Sequence, residues 1–197
     1  MKELKIKLPD KPFLTIVTRT YKKPKCLERC IASVKMQTCL DYEHVFIVDE
    51  IGQGLAWADQ MLDIYKERNH GKYIMILDDD DKITNKNFIT MLKDISDKYD
   101  PDVVIWRGMF TEMDFALPCI DSFWGVKPRK KLIGSFNYCT KKELYDNYIH
   151  LCSTGITGDF DFIDAIFKHT PSIKPYWLKK ILVTTQQKSY GKNMDCK

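Results

Sequence analysis

Apolar positions along the chain switch repeatedly between two spacings. Residues 13–17 form an apolar run with β-branched members, which predicts a strand. Cys26, Leu27, Cys30, Ile31 and Val34 then recur at helical intervals, with Pro24 where the helix would begin. A second strand is expected over 44–48, and Ala58, Met61, Leu62 and Tyr65 mark a second helix that Gly71 breaks. Residues 73–77 are apolar at every position, as a strand covered on both faces should be. Phe88, Met91, Leu92 and Ile95 predict a third helix with Thr84 as its cap, and Pro101 introduces a fourth strand over 103–106.

Strands thus alternate with helices for about the first hundred residues, the signature of βαβ units. This predicts an α/β fold with a mainly parallel central sheet and helices on both faces. After Arg107 the rhythm changes. Strand-like pieces at 109–115 and 118–123 lead to a basic loop at 127–131, then to helices near 141–148 and 161–169 and a strand over 181–185. With no repeat, low-complexity tract or linker, residues 1–197 read as one domain with two halves, about 13–106 and 107–197.

Composition narrows the class. A chain of 197 residues suits one domain, and at this size burial of roughly 70% of the unfolded surface needs no metal or disulfide staple. The 29% charged and 12% aromatic residues exclude a disordered chain. No apolar run approaches the ~18 residues that span a bilayer, and the first twelve residues lack the apolar stretch of a secretory signal. The expectation is a soluble, cytoplasmic protein without a transmembrane segment. A net charge of +4 is too mild to indicate nucleic acid, and seven cysteines without a C-x-x-C pair read as reduced thiols.

The sharpest chemical feature is Asp78-Asp79-Asp80-Asp81, directly after the third strand. In open α/β sheets ligands bind at the carboxyl ends of strands. Four adjacent carboxylates repel one another, and a hard divalent cation such as Mn²⁺ or Mg²⁺, shared with a substrate phosphate, gives a reason to gather them. A haloacid-dehalogenase-type phosphatase fits poorly, because its D-x-D follows the first strand. A dinucleotide site at Gly52-Gln53-Gly54 is opposed by Trp57 at the third glycine position and by Asp49 and Glu50, which would repel a pyrophosphate.

Thr18-Arg19-Thr20-Tyr21-Lys22-Lys23-Pro24, residues 30–37 (CIASVKMQ), Asp49 after the second strand, and Gly71-Lys72-Tyr73-Ile74 leading into the acidic turn together resemble the family 2 glycosyltransferases of GT-A fold. The resemblance covers residues 13–98 and continues more weakly to about 170. It implies a nucleotide-diphospho-sugar transferase domain. Its first half would hold the donor, expected to be a UDP-sugar, and its second half the acceptor. On that resemblance Thr20 and Tyr21 lie beside base and ribose, Asp49 accepts from the base N–H, Asp80 is the metal ligand, and Asp78 or Asp79 meets the ribose or the ion. The motif Gly158-Asp159-Phe160-Asp161 resembles the family's second acidic motif, with Asp159 as general base and Asp161 as runner-up in an inverting transfer. Here the chain has Glu50-Ile51-Gly52 after Asp49, where the family often shows Asp-Gly-Ser.

The acceptor half is expected to use Trp124 for stacking and Lys130 in a basic cluster, with Ser189-Tyr190-Gly191 closing over the diphosphate. The acceptor itself is left open among a glycan, a lipid-linked glycan and a modified nucleic acid. The short acceptor half leaves room for a partner chain, including a homo-oligomer. Two other readings are a nucleotidyltransferase, which would carry a glycine-rich loop after the first strand where 18–24 has no glycine, and a non-catalytic carbohydrate- or nucleic-acid-binding module.

Overall fold

The run after Pro12 forms strand β1 (Leu14–Thr20), every residue of which is buried. It carries parallel neighbours on both sides, β2 (Tyr42–Val48) and β3 (Tyr73–Ile76). The computed structural model describes residues 11–111, 114–154 and 157–185. Helix α1 (Pro24–Lys35) joins β1 to β2, and α2 (Leu55–Ile64) leads towards β3. A short β4 (Asp81–Ile83) precedes α3 (Phe88–Tyr99), which is followed by β5 (Val103–Phe110) and β6 (Phe115–Leu117). The second half adds β7 (Tyr138–Lys141), α4 (Lys142–Tyr148), α5 (Gly158–His169) and β8 (Pro175–Thr185).

These strands make one sheet in the order β2-β1-β3-β7-β5-β8-β4, with β6 on β5. Side chains alternate across it, as the two-residue period requires. Ile16, Met75, Leu77, Val104 and Trp106 pack with α1 and α3 on one face. Val17, Ile74, Ile76, Val103 and Ile105 pack with residues of α2, α4 and α5 on the other. Coverage on both faces is why these strands read as unbroken apolar runs.

The α/β class and the two-faced helical cover follow the sequence reading; the sheet itself is mixed. β7 pairs antiparallel with both β3 and β5, so the third and fourth strands of the sequence are not neighbours. Parallel pairing holds in β2-β1-β3 and between β5 and β8. Thr84 does not cap α3. Its N–H donates to the Leu182 carbonyl at 2.9 Å, continuing the β4–β8 ladder, and the helix starts at Phe88. Residues 118–123 bend instead of forming a strand, with the Asp121 side chain accepting the Phe123 N–H at 2.9 Å. β8 begins earlier than expected: its first half, with Tyr176, Trp177 and Leu178 only partly buried, is broken from the apolar run at 181–183 by Lys179 and Lys180.

Cys30, Cys39, Cys119, Cys139 and Cys152 carry free thiols, whereas Cys26 is disulfide-bonded, a pairing that sequence spacing does not reveal. Among the described residues no helix is long and apolar enough to cross a membrane.

Gly71 lets β3 enter the sheet against β1. A Cβ there would sit 2.4 Å from the Thr15 amide nitrogen, and the Gly71 N–H donates to Thr15 Oγ1 at 2.8 Å. Gly71→Ala should therefore lower stability by about 1–3 kcal/mol through overpacking. Calorimetry reads this as a drop in Tm; an unchanged Tm would mean that the β1–β3 junction has slack.

Candidate active site

The carboxyl ends of β1, β2 and β3 place Thr20, Tyr21, Asp49 and the acidic turn together. Alternation along β1 sends Arg19 to the face of Val17 and Thr20 to the face of Thr18, and the carboxylates opposite divide accordingly. Asp78 meets Arg19 and Asp79 meets Thr20.

Arg19 is 7% exposed and lies at the centre of an ion cluster. Its Nε and one terminal nitrogen donate to the two Asp78 oxygens, each at 2.7 Å, in a bidentate pair. Its other terminal nitrogen pairs with Asp59 of α2, which is 2% exposed. Burial alone would lower the guanidinium's pKa, yet the charge and hydrogen bonds of Asp78, with Asp59 and Asp159, hold it well above its usual range. Burial pushes the Asp59 carboxyl up to about 7, against the opposing pull of Arg19.

Asp159, in the first turn of α5, joins this cluster from the second half of the chain. Burial raises its pKa, Arg19 opposes the rise, and the Asp78 charge adds to it. The Asp159 backbone carbonyl accepts the Tyr138 hydroxyl at 2.9 Å, tying α5 to β7. Gly158 is required by the approach of the preceding turn, because a Cβ there would lie 1.9 Å from the Cys152 carbonyl oxygen.

On the other face Thr20 Oγ1 donates to Asp79 at 2.9 Å. Lys23 Nζ lies 3.4 Å from Asp79 and 3.5 Å from Asp80. Burial raises Asp79 to about 6 and raises Asp80 as well, with Lys23 opposing both. The Asp80 carbonyl accepts from Arg29 of α1 at 2.9 Å. Asp81 lies in β4, buried, and its carboxyl accepts the Asp78 N–H at 3.1 Å. Its pKa is pushed well up by burial and by the Asp80 and Asp78 charges, which favours the neutral form.

Arg19, Thr20, Lys23 and a backbone N–H each take a share of the four acids. Among the described residues no group of three His, Cys, Asp or Glu side chains forms a metal cage.

Asp49 Oδ1 accepts the Ile51 and Gly52 N–H groups at 2.9 and 2.7 Å, shaping the turn after β2. Gly52, at φ +80°, packs on the Tyr21 ring, and a Cβ there would lie 2.2 Å from that ring. Tyr21 and Asp49 thus share one wall. Asp161 accepts from Thr157 Oγ1 at 2.8 Å within its own helix start. Trp124 packs edge-on against Trp177, with ring centroids 5.2 Å apart, beside Phe123 and Arg129, and Lys130 is exposed. The contacts described for Trp124 do not reach the acidic turn. Ser189, Tyr190 and Gly191 lie outside the described residues.

Sequence reasoning assigned no role to Arg19, Lys23, Arg29 or Asp59. A signal existed for two of them. Arg19 continues the inward face of Val17, and Asp59 stands one helical turn from Leu62 on an otherwise apolar helix face.

This arrangement is the fold of the GT-A glycosyltransferases. Residues 1–349 of TarS from S. aureus, in complex with UDP, superpose with a TM-score of 0.66 at 12% identity, covering 88% of this chain and 60% of that one. The mannosyltransferase PcManGT from Pyrobaculum calidifontis, in complex with GDP-Man and Mn²⁺, gives a TM-score of 0.65 at 13% identity over 92% of this chain and 59% of that one. A glycosyltransferase involved in glycosylation of the major capsid of PBCV-1 gives 0.56 at 12% identity, over 91% and 95%. This chain thus spans about 60% of the TarS fragment's length. No family model and no curated protein sequence matches.

Two outcomes test the ion cluster. Arg19→Met leaves Asp59 and Asp78 without their cation and should destabilise by roughly 3–5 kcal/mol in denaturant melts; a loss under 1 kcal/mol would show the cluster to be solvated. Burial raises the pKa of Asp59 to about 7, above the usual carboxylate range, so the folded state binds its proton more readily than the unfolded state. Its contribution to stability falls as pH rises through that window. The wild type should gain stability on acidification from pH 8 towards pH 5, and Asp59→Asn should flatten that slope. An equal slope in both proteins would remove Asp59 as its source.

Proposed function

We propose that the chain is a metal-dependent glycosyltransferase that moves a sugar from a nucleotide-sugar donor, a UDP-sugar, to an acceptor hydroxyl with inversion. One observation carries this reading: within a GT-A fold, the acidic turn at the carboxyl ends of β1 and β3 leaves Asp80 facing an ammonium and no tighter side-chain partner. UDP in TarS and Mn²⁺ in PcManGT support it by similarity of fold.

The donor set suits a divalent cation shared with the donor, since such ions are commonly held by one or two carboxylates plus substrate phosphates. Asp80 supplies that carboxylate. Asp78, expected from sequence as a second ligand, has both oxygens on Arg19, so its part is to fix the turn. When bound, the cation offsets the charge that develops on the leaving diphosphate. Tyr21 and the Asp49 turn form the wall for the base, with Asp49 Oδ1 committed to its own turn and Oδ2 left to meet the base N–H. Thr20 and Lys23 engage Asp79, and Lys23 also faces Asp80.

Asp159 is the general base. Its raised pKa brings it nearer the operating pH, where proton transfer is most efficient. Asp161 is turned to Thr157 and serves the helix start. The acceptor is a hydroxyl of a glycan, a lipid-linked glycan or a modified nucleic acid.

UDP affinity, measured by calorimetry, should fall sharply in chelator and in Asp80→Asn; equal affinity would refute the metal role. Asp159→Asn should keep donor binding and lose transfer by ~10²–10⁴-fold, whereas Asp161→Asn should stay near wild type. The reverse pattern would exchange their roles, and retained anomeric configuration in the product would exclude single displacement.

A further inference from the structure

The two cations of the acidic turn are seated differently. Arg19 is buried, rigid in its planar fork, and bonded at 2.7 Å to each Asp78 oxygen. Lys23 reaches Asp79 and Asp80 only at 3.4 and 3.5 Å, beyond the 2.7–2.9 Å typical of a close charged pair. Its side chain is 19% exposed and lies at the N-terminal end of α1 without capping that helix. What Lys23 contributes to the helix start is its carbonyl, which accepts the Leu27 N–H at 3.0 Å. Among the described residues the side chain pairs only with the two carboxylates, and Asp79 keeps Thr20 if Lys23 leaves.

We propose that Lys23 is a resident counter-ion of the acidic turn, which yields Asp80 to the divalent cation when the donor arrives and moves onto the donor's diphosphate. This rests on the reading of the site given above. A monovalent ammonium on a flexible stem is suited to the exchange. It compensates Asp79 and Asp80 in the free protein and binds phosphate as a point charge when displaced. The free protein then has little affinity for the metal alone, and metal and donor enter together.

The test is Mn²⁺ binding to the metal-free full chain, followed by the electron paramagnetic resonance signal of free Mn²⁺, for wild type, Lys23→Met and Lys23→Met with Asp80→Asn. Without nucleotide, Lys23→Met should bind Mn²⁺ on the order of tenfold more tightly than wild type, because a charge competing for Asp80 is gone. The double variant should lose the gain. At saturating Mn²⁺, Lys23→Met should bind UDP more weakly than wild type. Equal Mn²⁺ affinity in wild type and Lys23→Met, with UDP still drawing Mn²⁺ onto the protein, overturns the exchange and leaves the metal site standing. Unchanged UDP affinity in Lys23→Met overturns the transfer to diphosphate. No Mn²⁺ bound by any of the three, with or without UDP, overturns both the exchange and the metal reading.

Discussion

A buried arginine constrains the whole site. Arg19 sits near the end of a wholly buried strand and is tolerated there because Asp78 and Asp59 meet it directly. Burying any one of these charges alone would cost several kcal/mol. Each carboxylate comes from a different element, Asp78 from the turn after β3 and Asp59 from α2, and the charge of Asp159 reaches the same guanidinium from α5. The need to keep one cation compensated therefore fixes the acidic turn, α2 and α5 relative to one another.

Neighbouring residues then face opposite ways. Asp78 looks to Arg19 and the α5 side, and Asp79 looks to Thr20 and α1. The β-strand period divides a run of four like charges between two environments, one locked and one with an exchangeable ammonium. Asp81, buried and biased to the neutral form, closes the turn from below.

The double-sided strands were legible because burial on both faces writes itself into the sequence as continuous apolar runs, 73–77 above all. The acidic turn was legible as composition. What could not be read was pairing between distant segments. The Arg19–Asp59 contact spans forty residues, and the antiparallel insertion of β7 between β3 and β5 is a tertiary choice that local periodicity does not encode. The distinction between Asp159 and Asp161 was legible only in part. Two residues on, a helix has turned by about 200°, so one acid faces the cluster and the other its own first turn, but which is which depends on how α5 docks. The cap expected at Thr84 failed for a related reason: an edge strand, β4, claims that backbone first.

The pairing of β4 with β8 also orders events in time. The residues just after the acidic turn, 81–83, find their partners at 183–185, about a hundred positions later in the chain. The other edge of β3 waits for β7, at 139–141. Such long-range pairings close late, since a large loop must be ordered before they return any stabilisation. On a ribosome, where earlier segments emerge first, β1, β2 and β3 are available long before the turn they support has its frame. The first half of the chain is therefore not an independent unit. It is completed by the last strand the structure describes, so a chain cut before β8 would carry every carboxylate of the turn and lack the support that sets them.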